Sequence, residues 1–323
     1  MIQPIANREL EARILRRLDS LTKPPGSLGR LEEIALRVGL IRNSVMPSLN
    51  GKAMLIFCAD HGVVEEGVSP YPAEVTRQML ANFQAGGAAI NVLCRNFGID
   101  PVVVDMGVGK PTRNFTREPA MSRDEAAEAI ERGRAQADIA DILGAGEMGI
   151  GNSTSAAALL SAFTGLDPAE TAGRGTGLDD AGVSRKVQAI RKALALHRPE
   201  PRDGLGVLAA LGGREIAAIA GLILGAAERR RVVVLDGFIA CSAALVAKAI
   251  EPAALDYVFF AHRSAEKGHA RMLEALGARP LFDLEMRLGE GSGASIGIAL
   301  IEAAVRLYRE MATFESAGVS GVA

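Results

Sequence analysis

The chain has 323 residues, 49% of them hydrophobic and 23% charged, an ordinary globular composition with room for a sizeable core. Its formal net charge is −2, it has no Trp and only 4% aromatic residues, so neither phosphate-backbone binding nor base stacking is expected and no nucleic-acid partner is read. The longest uncharged run, Met148 to Leu166, is broken by glycines, Asn152 and hydroxyls, so no membrane span is read.

Apolar residues at helical spacing predict a helix from Asn7 to Leu18 and a second one carrying Leu31, Ile34, Val38 and Ile41. Between them, Pro24-Pro25-Gly26 stops the first helix and turns the chain. Ala53–Cys58 reads as a buried parallel strand that ends in Ala59-Asp60-His61-Gly62, polar groups at the strand end where α/β proteins place ligands. Asp60 and His61 lack further ligands at metal spacing, so no metal site is read. Helices are expected over 73–83 and 87–97. Pro101–Asp105 is the second strand, and Ser122 caps the next helix. The amphipathic, charged start of the chain does not read as a signal peptide, and Cys58, Cys94 and Cys241 read as buried free thiols; a cytoplasmic location is expected.

A third strand is expected over 139–143. It leads into Gly144-Ala145-Gly146-Glu147-Met148-Gly149-Ile150-Gly151-Asn152-Ser153-Thr154-Ser155, which matches G-x-G-x-x-G. A dinucleotide loop would need an acid about 20 residues on, and Asp167 sits in a turn instead. A loop rich in amides and hydroxyls before helix 156–163 favours a phosphate monoester. Thr171–Gly177 reads as a glycine loop and Ala181–Leu196 as a helix carrying Lys186. Val207–Leu211 is a short apolar segment, followed by a helix from Arg214 to about Ala227. Val232–Leu235 ends at Asp236 as the fourth strand, helix 241–249 follows, and 256–260 is the fifth strand. His262, next to it, is a general-base candidate with no acid–His–nucleophile order to support it, and reads instead as a loop histidine with a structural hydrogen bond. A helix over 270–276 and a weak strand near 280–282 precede Arg287-Leu288-Gly289-Glu290-Gly291-Ser292-Gly293-Ala294-Ser295. Here the glycines let backbone approach a ligand and Glu290 faces it, while Ser292 or Ser295 alternatively caps the helix of residues 296–307. The tail after Phe314 is expected to fray. Strands alternating with helices, most ending in Asp or Gly, indicate an α/β fold around a mostly parallel sheet.

With these segments in view, the chain closely resembles the nicotinate-nucleotide–dimethylbenzimidazole phosphoribosyltransferase family over nearly its whole length. The resemblance rests on residues 23–30 (KPPGSLGR), 59–62 (ADHG), 146–152 (GEMGIGN), 235–238 (LDGF), 264–268 (SAEKG) and 287–293 (RLGEGSG). It implies transfer of phosphoribose from nicotinate mononucleotide to 5,6-dimethylbenzimidazole, giving α-ribazole 5′-phosphate and nicotinate in cobalamin lower-ligand assembly. It also implies a Rossmann-like catalytic domain (51–294), flanked by helices, and a small helical domain from both chain ends (1–50 and 295–323). A homodimer is implied, with no organic cofactor and no metal. Glu290 matches the general base and Glu147 a second catalytic carboxylate. Gly149 and Lys186 match positions near the phosphate, and the wider substrate-binding set comprises Gly151, Asn152, Ser153, Asp236, Ser264, Gly289 and Gly291. Tyr71, Gln78 and Met79 fall where the base pocket is expected and depart from the pattern of the best-known members. Adenine, 5-hydroxybenzimidazole or a phenol are therefore alternative acceptors, since a small change in an apolar pocket is worth only ~1–3 kcal/mol. The rival readings are an NAD-dependent dehydrogenase using Gly144, Gly146 and Gly149, and a nucleotide sensor without turnover.

Overall fold

The computed structural model describes residues 2–175 and 177–320. Five strands form one wholly parallel sheet: β1 (Lys52–Cys58), β2 (Asp100–Asp105), β3 (Ile142–Met148), β4 (Val232–Leu235) and β5 (Val258–Phe260). Their spatial order is β2-β1-β3-β4-β5, so the chain reverses its direction of travel across the sheet at the β1/β3 boundary. In doubly wound sheets the crevice at such a reversal, beyond the carboxyl ends of the strands, is where ligands sit. Helix Ser292–Glu310 packs on one face of the sheet, while Arg214–Glu228 and Phe238–Ile250 cover the other. β1, β3, β4 and β5 are buried nearly throughout, which explains their continuous apolar runs.

Helix Arg214–Glu228 lies close against helix Arg123–Arg134, and glycine makes the approach possible. A Cβ at Gly133 would strike the carbonyl of Ala218, and one at Gly221 would strike the carbonyl of Ile130. Gly221→Ala is therefore expected to cost about 1–3 kcal/mol, read as a lower urea midpoint, because backbone rather than a flexible side chain must yield. An unchanged midpoint would mean the two helices separate without cost.

Both chain ends knit together in a second, smaller apolar cluster. Leu10, Ile14, Leu18, Leu21, Ala35 and Tyr308 are buried there, and the Tyr308 hydroxyl donates to the Val45 carbonyl at 2.6 Å. The backbone N–H of Thr22 donates to the carbonyl of Ala312 at 3.0 Å.

Several sequence expectations are corrected. The third strand is not 139–143 but Ile142–Met148, so Gly144 and Gly146 lie inside a strand and not in a phosphate-binding loop. The reason is packing: a Cβ at 144 would collide with Met54, and one at 146 with the carbonyl of Glu290. Helix Ser292–Glu310 is seated directly on this bare backbone. Residues 207–211 belong to a helix, Gly204–Leu211, capped by the side chain of Asp203. The fifth strand shrinks to Val258–Phe260, because Arg37 takes the carbonyls of Leu255 and Asp256 and residues Pro252–Tyr257 form a 3-10 turn. The weak strand near 280–282 is a single bridge between Phe282 and His262. The tail after Phe314 begins as a short helix, Phe314–Ala317, capped by Thr313. Thr176, in the predicted glycine loop, and residues 321–323 of the tail lie outside the described residues.

Candidate active site

β3 delivers Glu147 to the carboxyl edge of the sheet, one residue before its end. The chain then turns through Gly149 and through Gly151 at φ +94° into helix Asn152–Thr164. Gly149 must be small, since a Cβ there would lie 2.5 Å from the Ala59 carbonyl. Glu147 is 6% exposed and accepts a 2.5 Å hydrogen bond from Asn152 Nδ2. Burial pushes its carboxyl up to about 8, with Asp236 and Glu215 adding to the rise and Asn152 opposing it.

Facing it is the loop Gly289–Gly291. Three successive residues sit in the left-handed region: Gly289 (φ +86°), Glu290 (φ +63°) and Gly291 (φ +91°). Glu290 is the costly member, because its Cβ resists that region. Its carboxyl is raised to about 7, chiefly by burial and then by Asp236, and its Oε2 is buried without a hydrogen-bond partner among the described residues. A Cβ at Gly289 would lie 2.8 Å from Glu147 Oε1, so this glycine is what lets the two acidic loops touch.

A cleft of about 660 Å³ separates these loops. At one end Lys186, from helix Asp180–His197, reaches the first turn of helix Asn152–Thr164. Its Nζ donates to Ser153 Oγ at 3.0 Å and to the Gly173 carbonyl at 3.4 Å. Burial lowers the ammonium to about 8, and Glu266 partly offsets this. A cation beside a helix N-terminus is a ready anion site. Val68, Tyr71, Val75, Met79 and Ile150 form an apolar wall.

Most of the sequence-predicted residues converge on this cleft: Glu147, Gly149, Gly151, Asn152, Ser153, Lys186, Ser264, Gly289, Glu290, Tyr71 and Met79 all line it. Three do not. Gln78 is exposed on the outer side of helix Glu74–Ala85, where Val75 and Met79, one turn apart, face inward. Gly291 packs on Met54 and on Gly146. Asp236 is 1% exposed, and its carboxylate accepts from the backbone N–H groups of Gly291, Gly293 and Ala294. The expected serine cap of the last long helix is thus corrected: Ser292 and Ser295 do not cap it, and Asp236, 55 or more residues away in sequence, does. Arg287, Phe238, Glu266 and His262 line the cleft and were not singled out as site residues. Arg287, Phe238 and Glu266 sit inside the motifs 287–293, 235–238 and 264–268, which are the signal the sequence offers for them.

His61 also takes an unforeseen role. Its Nε2 meets Glu215 Oε1 at 2.6 Å and its Nδ1 meets Ser155 Oγ at 3.1 Å, all three buried. Among the described residues no three His, Cys, Asp or Glu side chains gather as a metal group. No described helix is long and apolar enough to cross a membrane.

A family model described as phosphoribosyltransferase matches residues 3–319. The chain belongs to this phosphoribosyltransferase family. Among its relatives, the protein of Chloroflexus aggregans named nicotinate-nucleotide–dimethylbenzimidazole phosphoribosyltransferase is 51% identical over 325 residues, covering 94% of this chain and 92% of the relative. The protein of the same name from Geotalea uraniireducens is 49% identical, covering 99% of this chain and 96% of the relative. The crystal structure of CobT from Thermus thermophilus superposes with a TM-score of 0.92 at 46% identity, covering 97% of this chain and all of that one. Membership makes the chain a transferase and agrees with the observed sheet; the strand position of Gly144 and Gly146 argues separately against a dinucleotide loop.

Proposed function

We propose that the cleft transfers the 5-phosphoribosyl group of nicotinate mononucleotide to a ring nitrogen of 5,6-dimethylbenzimidazole or a related base. The products are α-ribazole 5′-phosphate and nicotinate, as the names of the relatives suggest. The observation that carries this reading is the convergence of Glu290, with its unpartnered buried oxygen, and a buried Lys186 on one cleft with an apolar wall. Lys186 and the first turn of helix Asn152–Thr164 hold the phosphate. The apolar wall takes the acceptor ring edge-on to Glu290. As one ring nitrogen attacks C1′, the other loses its proton to Glu290, whose raised carboxyl is matched to that task near neutrality. Glu147, on the facing loop, stabilises positive charge developing at C1′ once it is ionised. The pyridinium leaves as a neutral ring and needs no general acid. Entry of the base from the face opposite the leaving group turns a β nucleotide into an α product, and holding both rings about one carbon supplies much of the rate.

Residues 1–50 and 295–323 are read as one small helical domain on the catalytic body (51–294), an assignment supported by their shared apolar cluster. A homodimer in the cytoplasm completes the reading. Tyr71 and Met79 on the wall leave the accepted base open among benzimidazoles, adenine and phenols. The test is purified protein with nicotinate mononucleotide and a panel of these bases, with products identified by mass. One nicotinate released per ribotide formed is expected. Binding of the mononucleotide with no nicotinate released on any base would replace the enzyme reading with that of a sensor.

A further inference from the structure

We propose that Asp236, braced by His262, is a positioning residue that holds the Glu290 loop in its working shape and does not contact substrate. The inference rests on the phosphoribosyl-transfer reading for its functional consequence, and on geometry alone for the clamp itself. Asp236 follows β4 directly. Its Oδ2 accepts from Gly291 N at 3.0 Å, and its Oδ1 from Gly293 N at 2.6 Å and Ala294 N at 3.1 Å. Those are orphan donors at the start of a 19-residue helix, whose N-cap, Gly291, has no side chain to serve them. The same three bonds fix the end of the run Gly289-Glu290-Gly291, each residue of which is left-handed. Without an anchor that run is free to relax toward ordinary backbone, and Glu290 would swing out of register with Glu147.

His262 closes the arrangement from the segment just after β5. Its Nε2 lies 3.7 Å from Asp236 Oδ1, and its ring stacks on Phe282 at 5.7 Å with an interplanar angle of 19°. A Cβ at Gly293 would collide with His262 Cδ2, so the imidazole touches the first helical turn itself. Among the described residues His262 Nδ1 is buried with no hydrogen-bond partner, and Asp236 is the carboxyl nearest its Nε2. Burial raises the Asp236 carboxyl above its ordinary range, His262 and the three backbone N–H donors oppose that rise, and Asp236 when ionised adds to the effect of burial on Glu290. Other titratable groups near this corner are Glu147 from β3, Cys58 at the end of β1, Glu215, which acts on Glu147, Cys241 and His269 from the helices behind Asp236, Arg263 beside His262, and Arg287, Glu266 and Lys186 in the cleft lining.

The experiment compares wild type, Asp236→Asn and His262→Gln by two readouts that need no substrate, and then by kinetics. The Glu290 carboxyl is titrated by carbon-detected NMR, assigned by its absence in Glu290→Gln, and amide exchange is followed at Gly291, Gly293 and Ala294. In Asp236→Asn the Glu290 midpoint is expected to fall by at least about half a pH unit, since a neighbouring negative charge is gone. The three amides should exchange at least about tenfold faster. In His262→Gln both changes should follow in the same direction, because Asp236 is then less readily ionised. Turnover should drop about tenfold or more in both variants with KM for either substrate unchanged within about threefold, the pattern for lost transition-state geometry. A raised KM for nicotinate mononucleotide, with the Glu290 titration and the amides unmoved, would make Asp236 a substrate contact and overturn the proposal. If Asp236→Asn loses cooperative unfolding, the same measurements on His262→Gln decide. A wild-type protein without turnover sinks the reaction reading, whereas the NMR arms still judge the clamp.

Discussion

In Glu290→Gln, turnover falls by about 10²–10⁴ while KM for nicotinate mononucleotide stays within about threefold, because a positioned general base contributes on that scale and the phosphate end of the cleft is untouched. The wild-type rate should rise with pH through about 7 as Glu290 ionises, and the residual rate of the variant should lose that rise and keep only the one through about 8 that belongs to Glu147. Stability gives an independent check with a definite sign. The folded carboxyl is raised above its unfolded value of 4.5, so the stability it lends is complete below pH 4.5 and is lost as pH climbs through about 7. The glutamine variant escapes that loss and should melt higher than wild type at pH 8 but not at pH 4.5. Near-normal turnover in the variant would remove Glu290 as the base, whatever its melting temperature.

Lys186→Met should act at the other end of the cleft. Lys186 is 1% exposed and its ammonium is lowered to about 8 by burial. Methionine fills nearly the same space and cannot meet a phosphate. Loss of a charge-assisted contact of ~1.5–3 kcal/mol predicts KM for nicotinate mononucleotide higher by about 10- to 150-fold. KM for the base should not move. The corresponding nucleoside, which lacks the phosphate, should be used equally by wild type and variant, so the preference for the nucleotide collapses. The sign for stability is again fixed. A base lowered on folding loses stability as pH falls from its unfolded value of 10.5 through about 8, so the variant should be the more stable protein at pH 7. Retention of the nucleotide preference would place the phosphate elsewhere.

Legibility in the sequence followed the range of the forces involved. β1 and β4 were readable because unbroken apolar runs bounded by polar residues admit few other structures. β3 was misplaced because Gly144 and Gly146 look like a loop locally; their reason lies in Met54, Glu290 and Ile298, all far along the chain. Met79 and Gln78 could not be separated without the phase of helix Glu74–Ala85, and one residue of helical rotation puts the first in the cleft and the second in water. The motif segments fall on both of the loops that line the cleft, since turns need specific residues at specific places. The couples that secure those loops, His61 with Glu215 and His262 with Asp236, were invisible because each joins distant segments by a side-chain contact with no spacing rule.

The naked stretch of β3 has a bearing on how such a protein can change. Gly146 carries nothing, so the backbone of Glu290 and Gly291 rests directly on the backbone of β3, while the side chains of Met54 and Ile298 fill the space over Gly144. Tyr71 and Met79, by contrast, belong to elements that reach the cleft from outside that seam. On the proposed reaction, substitution there would remould which heterocycle is admitted and leave Glu147 and Glu290 where they stand, so acceptor choice and bond chemistry would occupy separately adjustable parts of one cleft.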